Sequence, residues 1–366
     1  MNSSILKKYA DLLVHYSLDI QPGDKLFIQT TTLAEPLVRE VFRTAIKAGA
    51  HVEYQLEFSE AHKIKIDNSE EKQLNQPPVL YAHAMEHFDA YLKIMAPHNL
   101  IENQNIDAQK QRKHKETLKP ITEHYYKRTA NGSLKRTLCL YPTQAGAQMA
   151  GMSLEEYSHF VFNACHLFNE DPKTSWLHIR NEQQNIVDYL NKVDKIQYIT
   201  KGTDIQFSVK GRKWINSDGR TNMPSGEVFT GPIEDSVNGT VYFSLPSVFE
   251  GHIVKGITLR VKDGKIIDWK AEEGQELLDD IFKVPGANYF GEVAIGTNYN
   301  IQQATKNILF DEKIGGTIHM AVGQSYFQTG AKNKSIIHWD MITDMTQGGQ
   351  ILADGKLIYE NGKFLI

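Results

Sequence analysis

Apolar residues in the first half of the chain recur alternately at helical and at strand spacing. A helical face over residues 4–18 is followed, after Gly23-Asp24, by the short apolar strand 25–30. The same alternation then predicts helix 33–48, strand 51–56, a helix after Pro77-Pro78, strand 91–95, helix 104–128 and strand 137–140. Strands that alternate with helices at this period predict a parallel sheet with helices on its faces.

The pattern changes between residues 170 and 180. Before this point, Ser153 and Glu156 form a capping box that starts a helix, and a last long helix is expected over 175–193. Beyond it, strand patterns separated by turn signals dominate, at 204–209, 240–244, 257–261 and 265–269. The sequence therefore predicts an α/β fold in two parts, an N-terminal α/β domain (1–172) with a parallel sheet and a β-rich C-terminal α+β domain (173–366).

Composition and charge exclude several classes of protein. The chain has 366 residues, with 40 Lys+Arg against 44 Asp+Glu, and this balance argues against a nucleic-acid partner. Apolar runs are too short for a membrane span, and the N-terminus lacks a signal-peptide pattern. Cys139 and Cys165 are too few for a disulfide framework and are expected to be buried. We expect a soluble, cytoplasmic protein without a membrane partner. His83 and His87, four residues apart, are expected on a helix surface.

Carboxylates and histidines beside glycines are concentrated in the C-terminal half. His338 and Asp340 are two residues apart, so in a strand they project from one face while Ile337, Trp339 and Met341 project from the other. Burying a histidine and a carboxylate without a partner is costly, and a divalent ion would satisfy both. Oxygen and nitrogen ligands suit Zn, Co, Mn or Mg. The other residues singled out are Glu227, Glu292, Glu312, His319 and Tyr326.

Each of these residues also has an ordinary structural interpretation. The alternatives are a solvated turn charge for Glu227, an edge charge for Glu292, a loop carboxylate or a capping or ion-pair contact for Glu312, a core histidine for His319, a core or interface aromatic for Tyr326, and a hydrogen-bonded structural pair for His338 and Asp340. Spacing along the chain leaves both interpretations open.

Several segments, taken in order, resemble the M29 family of metallo-aminopeptidases, the thermophilic metalloprotease family that includes aminopeptidases T and S. They are Leu6–Leu13 with Gln21-Pro22-Gly23-Asp24, Met223–Pro232, Asn307–Tyr326 and Ser335–Met341. The resemblance implies a C-terminal catalytic, metal-binding domain and a homodimer. It implies two divalent metal ions (Zn, Co, Mn or Mg) held by Glu227, Glu292, Glu312, His319, His338 and Asp340, with Glu292 and Tyr326 as catalytic residues.

The function implied by the resemblance is that of a metal-dependent aminopeptidase, a hydrolase that removes N-terminal residues from peptides through water activated by two metal ions. The segment between Tyr326 and His338 is shorter than in better-known members, which predicts a trimmed loop beside the site. One alternative is a non-catalytic peptide- or metal-binding protein that has kept the fold. A second is a metallohydrolase that acts on another amide or ester.

Overall fold

The computed structural model describes residues 3–249 and 251–366. The chain divides into two compact units, which are described separately. The first comprises the residues up to Lys173 together with Gly219–Pro224, and the second comprises Thr174–Asp218 and Ser225–Ile366. A domain is a unit that also folds independently, which compactness alone does not establish. The predicted domains 1–172 and 173–366 therefore stay a prediction.

The α-helices of the described residues, in chain order, are α1 (Ser3–Leu12), α2 (Glu35–Lys47), α3 (Ala61–Asn68), α4 (Glu71–Leu74), α5 (Val79–His87), α6 (Ala108–Ala130), α7 (Gln144–Ala150), α8 (Leu154–Ala164), α9 (Pro172–Leu190), α10 (Gln275–Ile281) and α11 (Ile308–Asp311).

The strands are β1 (Lys25–Thr31), β2 (His51–Glu57), β3 (Ala90–Met95), β4 (Lys135–Leu140), β5 (Lys195–Thr200), β6 (Thr203–Ser208), β7 (Ile215–Ser217), β8 (Asn222–Met223), β9 (Glu227–Thr230), β10 (Asn238–Phe243), β11 (Ser247–Phe249), β12 (His252–Val254), β13 (Ile257–Lys262), β14 (Lys265–Lys270), β15 (Phe290–Gly296), β16 (Thr317–Gly323), β17 (His338–Asp344), β18 (Gln350–Ala353), β19 (Lys356–Glu360) and β20 (Lys363–Phe364).

The first unit is built on the predicted parallel sheet. Its strand order is β2-β1-β3-β4-β8, and every neighbouring pair runs parallel. The central strands β1 and β3 carry mostly buried side chains, as expected for a sheet covered by helices on both faces. The helix–strand alternation of the first half is therefore confirmed.

Two predicted helices of the first unit differ from the observed ones. The helix expected over 4–18 is α1 followed by a wider π-helical turn, Leu13–Ser17, which closes with a hydrogen bond from Leu18 N to Leu13 O (2.9 Å). The helix expected from residue 104 starts only at Ala108, because the Asp107 side chain accepts hydrogen bonds from the first-turn amides of Gln109 and Lys110. The capping box of Ser153 and Glu156 is present as predicted.

The second unit is β-rich, as predicted. An eight-stranded antiparallel sheet has the order β14-β13-β10-β6-β5-β18-β19-β20. A five-stranded antiparallel sheet, the site sheet, has the order β17-β16-β15-β9-β7. One hydrophobic core contains side chains from both sheets, including Tyr198 and Phe207 from the first and Met320 and Trp339 from the second.

The expected positions of two cysteines and two histidines are also confirmed. Cys139 and Cys165 are buried, and His83 and His87 are exposed on α5. None of the described helices combines the length and apolar character needed to cross a membrane.

Candidate metal centre

Four strands of the site sheet carry candidate ligands on one face. Glu227 begins β9, Glu292 lies in β15, His319 in β16, and His338 and Asp340 in β17. Residues paired across neighbouring strands share a face. Glu227 pairs with Gly296, His319 pairs with Ala294, and Ala321 pairs with both Glu292 and Asp340, so alternation along each strand places all five ligands together.

The residue types on the two faces of the site sheet explain why the ligands meet. The alternate positions, such as Val293, Met320 and Trp339, are buried in the hydrophobic core. The intervening positions on the ligand face are small, Ala294 and Ala321 among them, which leaves room between the acidic and imidazole groups. The site sheet therefore buries its apolar face in the core and carries the candidate ligands on its other face.

The ligand atoms form two overlapping groups, one around each histidine. His319 Nε2 lies 3.4 Å from Glu227 Oε2, 3.5 Å from Glu292 Oε1 and 4.0 Å from Asp340 Oδ1. His338 Nε2 lies 3.5 Å from Glu292 Oε2 and 3.6 Å from Asp340 Oδ2. Glu292 and Asp340 thus each direct one oxygen toward each histidine.

The loop before β16 brings in a sixth candidate ligand, Glu312. Its carboxylate lies with His319 and Asp340 in a group whose ligand atoms are all within 4.8 Å of one another. The neighbouring Asp311 is turned away and anchors the loop, accepting hydrogen bonds from Thr305 N (2.7 Å), Thr305 Oγ1 (2.9 Å) and Lys306 N (2.7 Å). The acidic pair seen in the sequence is therefore divided between a structural and a site residue.

Lys313 is a buried cation in contact with two of the candidate ligands, Glu227 and Glu312. Its side chain is 0% exposed, its Nζ contacts the Glu312 carboxylate, and the same atom lies 3.6 Å from Glu227 Oε1. Burial disfavours the charged ammonium, but Glu227 and Glu312 outweigh this and raise the pKa of Lys313 above its ordinary value. The lysine is therefore protonated at neutral pH.

The ligand set fits a divalent cation. Glu227 Oε2, His319 Nε2 and Asp340 Oδ1 are buried and have no hydrogen-bond partner. Two ligands of one tetrahedral zinc ion, bound at about 2.1 Å, lie about 3.4 Å apart. Except for the 4.0 Å between His319 and Asp340, the separations around both histidines are close to this value, and all of them are longer than an ordinary hydrogen bond. Buried polar atoms without partners are rare, and a cation would satisfy these.

Burial is the main influence on the electrostatics of the candidate ligands. Burial raises the pKa values of Glu227, Glu292 and Glu312, with Lys313 or the histidines opposing the rise. Burial disfavours the imidazolium form of His319, but its interactions with Glu292 and Glu227 raise its pKa to about 9. His319 is therefore protonated at neutral pH, and a bound cation would displace this proton.

His338 is held in the tautomer that a metal ligand needs. Its Nδ1 lies 2.8 Å from the main-chain oxygen of Gln324, which can only accept a hydrogen bond. The Nδ1 atom therefore carries a proton, and in the neutral ring the lone pair of Nε2 faces Glu292 and Asp340. Such second contacts orient metal-binding histidines generally.

Tyr326 lies beside this histidine. The two rings meet edge to face with centroids 5.1 Å apart, and the Phe229 ring lies 5.5 Å from Tyr326 on another side. The residue is 45% exposed, so of its two ordinary interpretations, a core or an interface aromatic, the first does not fit. Burial of the phenol, with the charges of Glu292 and Asp340, raises its pKa and keeps it neutral at physiological pH.

The burial and hydrogen bonding of Glu227, Glu292 and His319 also argue against their ordinary structural interpretations. Glu227 is only 5% exposed and Glu292 only 4%, so neither is a solvated turn or edge charge. His319 is fully buried, as a core histidine would be, but both of its ring nitrogens lack a hydrogen-bond partner. A structural histidine is normally hydrogen-bonded, so the core interpretation does not fit.

Two supporting residues were missed by sequence reasoning. Lys313 is the last residue of the charged triplet Asp311-Glu312-Lys313, which indicates a polar cluster in the sequence. Spacing does not show which of the three side chains faces the candidate ligands. Gln183 on α9 is 1% exposed; its Nε2 donates to the carbonyl oxygens of Glu227 (3.1 Å) and Ser217 (3.0 Å), and its Oε1 accepts from Thr297 (3.0 Å). Nothing in the sequence separates Gln183 from the neighbouring Gln184.

A glycine gives the chain the conformation that it needs before Glu227. Gly226 has φ +116°, which side-chain-bearing residues rarely adopt, and a Cβ atom there would lie 2.7 Å from Asn298 Cβ. The turn that starts β9 therefore requires glycine.

Known proteins resemble this chain over nearly its full length. It is 29% identical to aminopeptidase 2 of Geobacillus stearothermophilus, with 96% of this chain and 95% of that protein covered. It is 26% identical to the aminopeptidase AmpS of Bacillus subtilis, with 99% and 98% covered. The structure of wild-type AmpT from Thermus thermophilus matches with a TM-score of 0.85 at 22% identity, covering 99% of both chains, which shows a shared fold.

The sequence resemblance and the predicted fold class are thus confirmed. The model of the thermophilic metalloprotease family (M29) matches residues 2–364, and the chain belongs to this family.

Proposed function

We propose that the chain is a metal-dependent aminopeptidase that removes N-terminal residues from peptides with two divalent ions held on the site sheet. The observation that carries the proposal is the pair of ligand groups centred on His319 and His338, which share Glu292 and Asp340. Membership of a metalloprotease family and the aminopeptidase relatives support hydrolysis of peptides from the N-terminus.

The distances suggest how the ligands divide between the ions. A neutral imidazole nitrogen has one lone pair and binds one ion, so the two histidines mark two positions. Glu227 and Glu312 accompany His319, whereas Glu292 and Asp340 have an oxygen near each histidine. Glu292 and Asp340 are therefore our candidates for the ligands shared by both ions.

When bound, a pair of divalent ions would activate water, polarise the scissile carbonyl and stabilise the negative charge that develops on its oxygen. The chain's own groups do the rest. A carboxylate must take up the proton that the attacking water loses, and Glu292 is our candidate. Tyr326, neutral and half-exposed beside His338, donates a hydrogen bond to the developing oxyanion.

Two further expectations from the resemblance, assembly as a homodimer and a cytoplasmic location, stay predictions. So does the influence of the short segment between Tyr326 and His338 on substrate preference. In the structure this segment contains the single 3₁₀ turn Phe327–Thr329 and reaches β17 without another helix or strand.

Hydrolysis by chelator-stripped protein tests the function. We would assay a panel of free and N-acetylated peptides with and without added Zn, Co, Mn or Mg. Metal-restored cleavage of the free-amine peptides alone is the expected result. Cleavage of acetylated peptides would indicate another amide hydrolase, and the absence of cleavage by folded, metal-loaded protein would favour a binding protein that has kept the fold.

A further inference from the structure

Lys313 is a charged side chain that the proposed reaction does not use. Its fully buried Nζ contacts Glu312 and lies 3.6 Å from Glu227 Oε1. A 0% exposed side chain does not reach a substrate in the open site. Its role therefore concerns the ligands rather than the reacting peptide.

In the part of the chain that the structure describes, Lys313 is the one lysine or arginine in ion contact with the candidate ligand carboxylates. Within the described residues, the basic groups in ion contact with Glu227, Glu292, Glu312 and Asp340 are Lys313, His319 and His338. The histidines lose any acquired proton when they bind a metal. The lysine ammonium lies against two of the candidate ligands and has no lone pair to offer a metal.

We propose that Lys313 is an internal counter-ion that competes with divalent metal for Glu227 and Glu312, stabilising the metal-free fold and weakening metal binding. This inference rests on the proposed metal site. Without the lysine, a metal-free chain must bury these carboxylates with less compensating positive charge, which is destabilising. A bound cation would neutralise them and remove most of that penalty.

Thermodynamic linkage fixes the sign of the effect on affinity. A substitution that destabilises the metal-free form more than the loaded form must tighten metal binding by the same free energy. Coulomb's law gives the same sign, because the ammonium and the metal are like charges close to the same carboxylates. If Lys313 served only to orient ligands, its removal would weaken binding instead.

Lys313→Met tests the proposal, because methionine is of similar length and uncharged. Lys283→Met is the matched control, since it removes a surface lysine that pairs with Asp280 at 2.8 Å and is 73% exposed. We would measure Zn and Co affinities by competition with a chromophoric chelator. Melting temperatures of the same proteins would be recorded after chelator treatment and at metal saturation.

For Lys313→Met we expect a lower melting temperature without metal, a nearly normal one with metal, and metal affinity about tenfold or more above wild type. Lys283→Met should match wild type in both states. Weaker metal binding, an unchanged metal-free melting temperature, or failure to fold even with metal would overturn the proposal.

A second variant separates charge from packing. Adding Glu312→Gln to Lys313→Met removes one uncompensated carboxylate, so the metal-free stability should partly recover. A double variant no more stable than the single one would assign the loss to packing and contradict the proposal. If wild-type protein bound no divalent ion, the metal site itself would be refuted, while the stability comparison would still decide whether Lys313 is a counter-ion.

Discussion

Glu292 Oε2 lies 3.5 Å from His338 Nε2, while the other oxygen of the same carboxylate faces His319. Because Glu292 reaches both ligand groups, Glu292→Gln should disturb both ions, whereas His338→Ala should disturb mainly one. We expect turnover to fall by about 10²-fold or more in both variants. Metal content per folded chain, measured by elemental analysis, should fall further in Glu292→Gln.

The control for this pair is Glu276→Gln, which alters an exposed glutamate on α10. It should keep wild-type activity and metal content. If Glu292→Gln folds and keeps wild-type turnover, the assignment of Glu292 to the site is wrong.

Tyr326 is expected to act on the reaction and not on the metal. Its ring contacts His338 but its phenol is kept neutral by a raised pKa, which suits a hydrogen-bond donor. Tyr326→Phe should lower kcat by about 10²–10³-fold, as for other oxyanion donors, with KM and metal content little changed. Tyr189→Phe on α9 is the control. Loss of metal from Tyr326→Phe, or an unchanged kcat, would reject this role.

Gln183 should matter because its amide ties α9 to the main chain of Glu227. Gln183→Met leaves the carbonyls of Glu227 and Ser217 and the Thr297 hydroxyl with one buried partner fewer, which should cost about 1–3 kcal/mol in the free energy of unfolding. Chemical denaturation measures this. Gln184→Met, on the exposed side of the same helix, should cost much less, and equal losses would show that the contact has no special weight.

The two cysteines should be chemically silent in the folded protein. Cys165 Sγ donates to Tyr9 Oη at 3.7 Å, and burial raises the Cys165 pKa to about 12 and the Cys139 pKa above its usual range. Thiolate is the reactive form, so alkylation at pH 8 should be at least about 10³-fold slower than in denatured protein and should accelerate as pH rises. Rapid alkylation of folded protein at pH 8 would disprove this.

Strand periodicity predicted one part of the site correctly. The spacing of His338 and Asp340 placed both on one face, and in β17 they do share the ligand face while Trp339 and Met341 enter the core. The reason is that alternation within a single strand is local and depends only on backbone geometry.

The rest of the cluster depends on contacts that spacing does not encode. Glu227 meets His319 because β15 lies between β9 and β16 in the site sheet, and this order comes from strand pairing distant in sequence. Family resemblance named these ligands where spacing alone left the alternatives open. Sequence spacing did not predict the role of Lys313, because three adjacent charged residues point in different directions. Asp311 accepts hydrogen bonds from Thr305, whereas Glu312 and Lys313 face the candidate ligands.

The most direct test of the two-ion site is anomalous diffraction from crystals of the protein loaded with zinc or cobalt, recorded at the absorption edge of that metal. We expect two peaks per chain on the ligand face of the site sheet, one bound by His319 and one by His338, with Glu292 contacting both. A single peak, or peaks away from these residues, would contradict the account.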